Sequence, residues 1–219
     1  MWDFFYFYVR LHLQKQKGCI MEKPNMIVFM GGQGSGKGTY AKLFLKQNDC
    51  NYIETGAILR QMPKNSEIGK KIARGELVSD DELFAIIAEH IKNNKDLILD
   101  GFPRTLGQAK WLVKNYKNQF IIKVAFLNIT KKMMLARIQN RIKEGENRAD
   151  DNDAAAVQKR IAAFYATTMP AIEWLSKQPK IQFCDIKVPN PADTIENNFK
   201  YVQDRLMEPQ MCSTKEHKR

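Results

Sequence analysis

Short runs of apolar residues alternate with longer amphipathic stretches along most of this chain. Most of the apolar runs are continuous rather than alternating, which is typical of parallel strands that are buried on both faces. Since helical stretches lie between them, the pattern predicts one α/β domain, with a parallel five-stranded sheet flanked by helices. The candidate strands are Met26–Met30, Asn51–Glu54, Asp96–Asp100, Ile121–Asn128 and Lys180–Cys184.

Residues that favour the N-cap position stand before several of the helical stretches. Their short polar side chains accept hydrogen bonds from the free N–H groups of a first helical turn. The predicted caps are Ser79-Asp80, Thr105, Thr130 and Asp150-Asp151. The chain shows neither an internal repeat nor a linker, so a single domain is expected.

Composition and charge are those of a soluble globular protein with anionic ligands. The 219 residues are 44% hydrophobic and 27% charged, and the formal net charge is +11. A basic balance suits nucleotides as well as nucleic acid. Because the chain has no run of five or six basic residues and no RNA-binding aromatic signature, we expect no nucleic-acid partner.

The cysteines indicate a reducing, cytoplasmic setting. None of the four belongs to a C-x-x-C pair, so neither a zinc site nor a disulfide framework is indicated. Cys50 and Cys184 adjoin apolar runs and are expected in the core. The other two are Cys19 and Cys212.

Both ends are expected to lie outside the domain, which we place at residues 26–206. The segment Met1–Leu13 is strongly aromatic, but it is too short to span a bilayer and lacks the marks of a signal peptide. It could anchor the chain to a membrane or partner. We favour a poorly ordered extension over 1–25, and a similar tail over 207–219, since chain ends are poorly ordered unless tied down.

A glycine-rich segment joins the first predicted strand to the first predicted helix. It reads Gly31-Gly32-Gln33-Gly34-Ser35-Gly36-Lys37-Gly38-Thr39 and contains a complete G-x-x-x-x-G-K motif. Glycines let backbone N–H groups turn inward around phosphate oxygens, and the helix N-terminus adds its positive dipole. Lys37 then reaches the β- and γ-phosphates. The segment is predicted to bind phosphates through Gly34, Ser35, Gly36, Lys37, Gly38 and Thr39.

Further motifs follow in a fixed order. They are Thr55-Gly56-Ala57-Ile58-Leu59-Arg60, then Gly75-Glu76-Leu77-Val78, then Asp100-Gly101-Phe102-Pro103-Arg104-Thr105 with Gln108 behind it. Together with the G-K-G-T ending of the loop, these segments resemble the T-G-D-x-L-R, G-x-L-V and D-G-F-P-R-T motifs of the adenylate kinases. Those enzymes belong to the nucleoside monophosphate kinase family, and the likeness is to their short-lid, zinc-free members. It covers about 26–206.

The resemblance implies reversible transfer of the terminal phosphoryl group from Mg·ATP to AMP, giving two ADP. It implies Mg²⁺ as cofactor, ATP, AMP and ADP as ligands, and a cytoplasmic monomer without a membrane partner. It also implies a small insertion over 54–78 that binds the monophosphate, and a short lid over 141–149.

The resemblance assigns roles to three overlapping sets of residues. The cations around the moving phosphoryl group would be Lys37, Arg104, Arg141, Arg148 and Arg160. The ATP site would add Arg137 and Arg141 to the loop. The AMP site would contain Thr55, Arg60, Glu76, Leu77, Val78, Gly101, Phe102, Pro103, Arg104, Gln108, Arg148 and Arg160.

Several of these roles also have a physical basis. Asp100 ends an apolar strand and would lie beside the loop in a parallel sheet, where its carboxylate can hold Mg²⁺, directly or through water. Arg60 and Arg104 would clamp the acceptor phosphate. The amide of Gln108 both donates and accepts, which suits an adenine edge. By resemblance alone, Thr55 favours AMP, because uridylate and cytidylate kinases usually carry Ala-Gly in place of Thr-Gly.

The chain departs from the family pattern at a few points. Gln33 replaces the usual Pro of the loop, Ala57 replaces the usual Asp, and the stretch from Arg60 to Gly75 is about a helical turn shorter. Arg148 and Arg160 are twelve positions apart, one more than usual. We expect the intervening helix to begin one residue late, at one of the caps in 150–153, so that Arg160 still shares a cleft with Arg60 and Arg104.

Two other functions are considered. The first is a UMP/CMP kinase, which would use the same loop with another acceptor base. The second is a non-catalytic nucleotide-binding switch, which would carry the N-K-x-D motif of GTPases. Asn94-Lys95-Asp96 lacks the spacer of that motif.

Overall fold

The computed structural model describes residues 23–73, 78–91, 95–145, 152–187 and 195–207. The strands are β1 (Asn25–Gly31), β2 (Asn51–Glu54), β3 (Leu97–Asp100), β4 (Ile121–Asn128) and β5 (Ile181–Lys187). The helices are α1 (Lys37–Gln47), α2 (Thr55–Gln61), α3 (Glu67–Ala73), α4 (Asp80–His90), α5 (Leu106–Tyr116), α6 (Lys131–Lys143), α7 (Ala154–Ala163), α8 (Met169–Leu175) and α9 (Ile195–Met207). A single turn of π-helix, Phe164–Thr168, joins α7 to α8 and is called the π-turn below.

The five strands form one parallel sheet in the order β2-β3-β1-β4-β5. The predicted fold is therefore confirmed. The chain leaves β1 toward one side of the sheet and later returns to the other, so β1 has neighbours on both sides. Ligands of such sheets bind at the carboxyl ends of the strands where the order reverses. Here that edge carries the end of β1, and Phe29 of β1 is in register with Asp100 of β3.

The bounds of a strand are predicted well by an apolar run where both faces of that strand are buried. All four residues of β3 are buried, because β1 and β2 flank it and helices cover both faces. β5 is an edge strand that alternates buried and exposed residues and runs to Lys187. The prediction of Lys180–Cys184 was too short at its carboxyl end, because the polar Asp185 interrupts the apolar run.

Three helices begin at predicted caps. Ser79 accepts from the backbone N–H of Glu82, and the Glu82 carboxylate accepts from the backbone N–H of Ser79, which forms a capping box for α4. Thr105 caps α5 and Thr130 caps α6.

The cap predicted for α7 at Asp150-Asp151 was wrong. Asp153 caps this helix, and its carboxylate accepts from the backbone N–H groups of Ala155 and Ala156 at 2.8 and 3.2 Å. Asp153 is the last of the caps considered over 150–153, and its two bonds hold the helix start at Ala154.

Aromatic residues join the helices to the sheet. Phe44 of α1 lies with its ring centroid 5.8 Å from that of Phe29 in β1 and 4.9 Å from that of Phe199 in α9. Cys184 is buried and Cys50 is partly buried against the core, as expected. Burial, with a smaller contribution from nearby Asp96, raises the pKa of the Cys50 thiol to about 11. Within the described ranges, no helix has the length and apolar character that a membrane span requires.

Candidate active site

The phosphate loop curls around the N-terminus of α1 because two of its glycines adopt left-handed backbone angles. Gly34 has φ +70° and Gly36 has φ +90°, a region that favours glycine. A Cβ at Gly36 would also lie 2.9 Å from a ring carbon of Tyr40. Ser35, between them, is fully buried. This geometry opens the first turn of α1 toward a ligand, as phosphate sites at helix N-termini require.

The side chain of Lys37 folds back across the phosphate loop, at whose carboxyl end it lies. Its Nζ donates to the carbonyl oxygens of Gly31 and Gly32 at 2.7 and 2.8 Å, and to Ser35 Oγ at 3.3 Å. The ammonium group is thereby held at the end of β1, where the sheet order reverses.

Helix α6 supports the loop from the side. Arg137 Nη1 donates to the carbonyl oxygen of Gly34 at 3.0 Å. A Cβ at Gly34 would lie 3.1 Å from Arg137 Cβ, so helix and loop pack closely. Arg141 follows one turn later on the same side of α6, and its Nε is buried.

Asp100 lies between the loop and β2. It is 8% exposed, and its Oδ2 would be 3.4 Å from a Cβ on Gly38. The Tyr52 hydroxyl lies 3.5 Å from this oxygen and 3.3 Å from Glu54 Oε2. Burial, and then the two carboxylates, raise the pKa of Tyr52, so its hydroxyl stays protonated and donates. Carboxylate oxygens are preferred Mg²⁺ ligands, and the missing side chain at Gly38 leaves room beside Asp100. The site therefore fits Mg²⁺.

A buried hydroxyl marks the other side of Asp100. Thr55 is 4% exposed, and within the described ranges its Oγ1 is buried without a hydrogen-bond partner. Its Cβ lies 3.9 Å from the position that a Cβ on Gly101 would take. Buried polar groups in native proteins are nearly always paired. An unpaired hydroxyl beside two nucleotide motifs therefore indicates a ligand.

Two arginines are exposed near this hydroxyl. Arg60 Nη2 lies 3.0 Å from Glu54 Oε1, and the Arg60 side chain is 68% exposed. Arg104 Nε donates to the carbonyl oxygen of Gly101 at 2.8 Å. Both guanidinium groups are in exposed positions from which they can exchange these contacts for a phosphate.

The peptide groups on either side of Arg104 are fixed by one nearby and one distant side chain, those of Gln108 and Thr168. The Gln108 side chain is buried, and its Oε1 accepts from the Arg104 backbone N–H at 2.7 Å. Gln108 Nε2 donates to Asp80 Oδ1 at 2.8 Å. The hydroxyl of Thr168, at the end of the π-turn, donates to the Arg104 carbonyl oxygen at 3.0 Å. Sequence reasoning had considered Asp80 only as a helix cap and had assigned no role to Thr168.

Comparison with known proteins decides the family. The sequence model of the adenylate kinase family matches residues 29–180. This chain belongs to the adenylate kinase family. Among curated relatives, the adenylate kinase of Phocaeicola vulgatus is 34% identical over 166 residues, covering 71% of this chain and 87% of the relative. The adenylate kinase of Agrobacterium fabrum is 36% identical over 174 residues, with 73% and 88% covered. That of Bacteroides fragilis is 34% identical over 186 residues, with 80% and 95% covered.

The residues that the adenylate kinase motifs assign to the nucleotide sites differ in how far their side chains are exposed. Phe102 is 1% exposed and packs edge-on against Trp111, at 6.0 Å between ring centroids, so its side chain supports the core. Pro103 is also buried, whereas Thr39 is exposed and Val78 packs partly buried against the core. Glu76, Leu77 and Arg148 lie outside the described residues.

Arg160 lies on α7, two turns after its start. Its Nε is buried, so this part of the guanidinium group does not face bulk solvent. That it shares a cleft with Arg60 and Arg104 stays a prediction.

Proposed function

We propose that this protein transfers the terminal phosphoryl group of ATP to AMP, reversibly, giving two ADP. The observation that carries the proposal is the position of Asp100-Gly101 at the end of β3. Asp100 faces the phosphate loop through Gly38, and a Cβ on Gly101 would lie 3.9 Å from the Cβ of Thr55. The two nucleotide motifs therefore meet on neighbouring strands, where a donor and an acceptor can be aligned.

Binding of the donor rests on the loop and Lys37. Phosphoryl transfer needs alignment, charge neutralisation and exclusion of water more than covalent chemistry. The N–H groups of the loop would hold the phosphates of ATP, and Lys37 would exchange its carbonyl partners, Gly31 and Gly32, for phosphate oxygens. Arg137 and Arg141 would flank the same phosphates along one side of α6.

Binding of the acceptor rests on residues that follow β2 and β3. Arg60 would leave Glu54, and Arg104 would turn from Gly101, to hold the AMP phosphate from two sides. Thr55 and Gln108 would face the adenine. A phosphate oxygen of AMP attacks directly, so no side-chain nucleophile is required, and Arg148 and Arg160 would complete the positive surroundings of the moving group.

Asp100 is the residue that would hold Mg²⁺, through water. When bound, Mg²⁺ neutralises negative charge on the transferring phosphates. The Tyr52 hydroxyl, 3.5 Å from the same carboxylate, would limit movement of Asp100 away from Gly38. Closure of the segments 54–78 and 141–149 over the nucleotides would exclude water that could otherwise hydrolyse ATP.

A direct test measures ADP formation from ATP with AMP, UMP, CMP or no acceptor. We expect two ADP per ATP consumed, the highest kcat/KM with AMP, and little hydrolysis without an acceptor. A higher kcat/KM with UMP or CMP would make the protein a pyrimidine nucleotide kinase. Binding of ATP without transfer to any acceptor would instead indicate a nucleotide-gated switch.

A further inference from the structure

The side-chain amide of Gln108 has one fixed orientation. A backbone N–H can only donate and an ionised carboxylate can only accept. Gln108 Oε1 therefore faces the Arg104 N–H, at 2.7 Å, and Nε2 faces Asp80 Oδ1, at 2.8 Å. Turning the amide over would place Nε2 against the N–H group and Oε1 against the carboxylate, and both hydrogen bonds would become repulsive contacts.

The carboxylate that fixes the amide is itself held in place. Asp80 is the first residue of α4, directly after the capping box of Ser79. Its Oδ2 would lie 3.3 Å from a Cβ on Gly107, so the carboxylate lies against the first turn of α5. The N-terminus of a helix favours a negative charge. The contact joins residues 28 positions apart and connects two helices.

After these two bonds, the amide keeps one free hydrogen on Nε2 and one free lone pair on Oε1. Adenine presents a ring-nitrogen acceptor beside an amino donor, which complements this pair. Hypoxanthine and guanine present a ring N–H beside a carbonyl oxygen, which opposes it. An amide that was free to turn over would accept either pattern. Gln108 is 6% exposed, so a mismatch there would leave buried polar groups unpaired.

We propose that Asp80, together with the Arg104 N–H, locks the Gln108 amide in the orientation that accepts adenine and rejects 6-oxopurines, and so contributes to base specificity. The proposal rests on the proposed function, since it assumes that Gln108 faces the acceptor base. Asp80 acts through Gln108 and is a positioning residue. The fixed amide repels the donor and acceptor groups of a 6-oxopurine and forms hydrogen bonds with those of adenine.

The test compares AMP with IMP, whose hypoxanthine inverts the donor and acceptor pattern at the same two positions. In Asp80→Asn, the new amide can either accept from Gln108 or donate to it, so only the Arg104 N–H still opposes a turned-over Gln108 amide. We expect the ratio of kcat/KM for AMP to that for IMP to fall about tenfold or more, chiefly through a gain with IMP. Asp81→Asn is the matched control, because Asp81 is an exposed neighbour in the same first turn. It should leave the ratio unchanged.

Asp80→Ala provides a second variant, since it removes the carboxylate without supplying a new partner, and its ratio should fall in the same direction. Equal losses with AMP and IMP, or an unchanged ratio in both Asp80 variants, would overturn the proposal and leave Asp80 a purely structural role. The activity of the wild-type protein with AMP is measured as a separate result, independent of the variants. A wild-type protein inactive with AMP would refute the proposed function, whereas an unaltered AMP-to-IMP ratio would refute only the role of Asp80.

Discussion

Glu54 and Arg60 form an ion pair across the start of α2, with 3.0 Å between Oε1 and Nη2. Glu54 ends β2, and it also accepts from the Tyr52 hydroxyl, which lies within reach of Asp100. Arg60, one of the two arginines proposed to bind the acceptor phosphate, is therefore held by Glu54, a carboxylate of the same insertion over 54–78. Because the Arg60 side chain is 68% exposed, the pair is weak and easily exchanged.

Replacing Glu54 by Gln should lower the KM for AMP, because Arg60 would no longer leave a charged partner. An exposed ion pair contributes about 0.2–1 kcal/mol, so the decrease should not exceed about fivefold, and kcat should stay the same. Glu67→Gln, which removes a similar exposed pair with Lys70 in α3, should leave this KM unchanged. An unchanged or higher KM in Glu54→Gln would show that the pair does not compete with AMP.

Thr55→Val should change stability and activity in opposite directions. Valine has a similar shape and removes a buried hydroxyl that has no partner within the described residues. The free energy of unfolding should therefore rise by about 1 kcal/mol, while kcat/KM for AMP falls roughly tenfold relative to CMP. Urea unfolding and steady-state kinetics measure the two effects. The KM for ATP serves as the internal control, and a variant that kept its preference for AMP would remove Thr55 from base selection.

Lys37→Met should lower kcat about a hundred- to a thousandfold, the usual loss for a preorganised donor that stabilises the transition state. Lys42→Met is the control, since Lys42 is exposed on the same helix, and it should behave like the wild type. A Lys37→Met enzyme that retained more than about a tenth of wild-type kcat would contradict the role given to this lysine.

Thr168→Val tests whether the π-turn positions Arg104. The substitution removes one hydrogen bond to the Arg104 carbonyl oxygen, worth about 1 kcal/mol, so kcat/KM for AMP should fall about fivefold while the KM for ATP is unaltered. Thr167→Val is a matched control. Its hydroxyl donates to the carbonyl oxygen of Ala163, the last residue of α7, at 2.8 Å. Equal effects of the two variants would mean that the turn supports only the local helix.

Acid should destabilise the start of α4, because it protonates the carboxylate of Glu82. Hydrogen bonds from Lys71 and then Ser79 lower the pKa of Glu82 from its ordinary value of 4.5 to about 2. A carboxylate with a lowered pKa in the folded state stabilises fully above its unfolded pKa, and the contribution is lost as the pH falls toward 2.

The variant Glu82→Gln keeps the hydrogen bonds of a capping box but not the charge. It should be less stable than the wild type at pH 6, and the difference in unfolding free energy should shrink as the pH falls from 4.5 to about 2. Urea unfolding at several pH values gives this difference. Glu89→Gln, on the same helix, should show a smaller change with pH, and similar curves for the two variants would contradict the assignment to Glu82.

The sequence predicted the sheet well where strands are buried on both faces. Apolar continuity marks β3, whose four residues are all buried, and β4, whose predicted bounds agree with the structure. It failed at the end of β5, because an edge strand needs apolar residues on one face only. The start of α7 was misplaced because four adjacent residues at 150–153 can all cap a helix, and only tertiary contacts select among them.

The site was predictable where its residues form local motifs. The phosphate loop and the segment at Asp100 are contiguous in sequence, and each carries its own signature. The contacts of Asp80 with Gln108 and of Thr168 with Arg104 were not found, because their partners are 28 and 64 positions away. Contacts of that kind depend on how whole helices pack and leave no periodic signal along the chain.

The contact between Arg137 and Gly34 fixes the position of α6 relative to the phosphate loop. Arg137 fixes one point of the helix at the phosphate loop, and Arg141 follows four residues later, which is about 6 Å along the helix axis. A rigid helix does not stretch, so the spacing between the Cα atoms of these two arginines is the same before and after a nucleotide binds. Under the proposed function, the order of these two positive charges along the polyphosphate is therefore set by helix pitch.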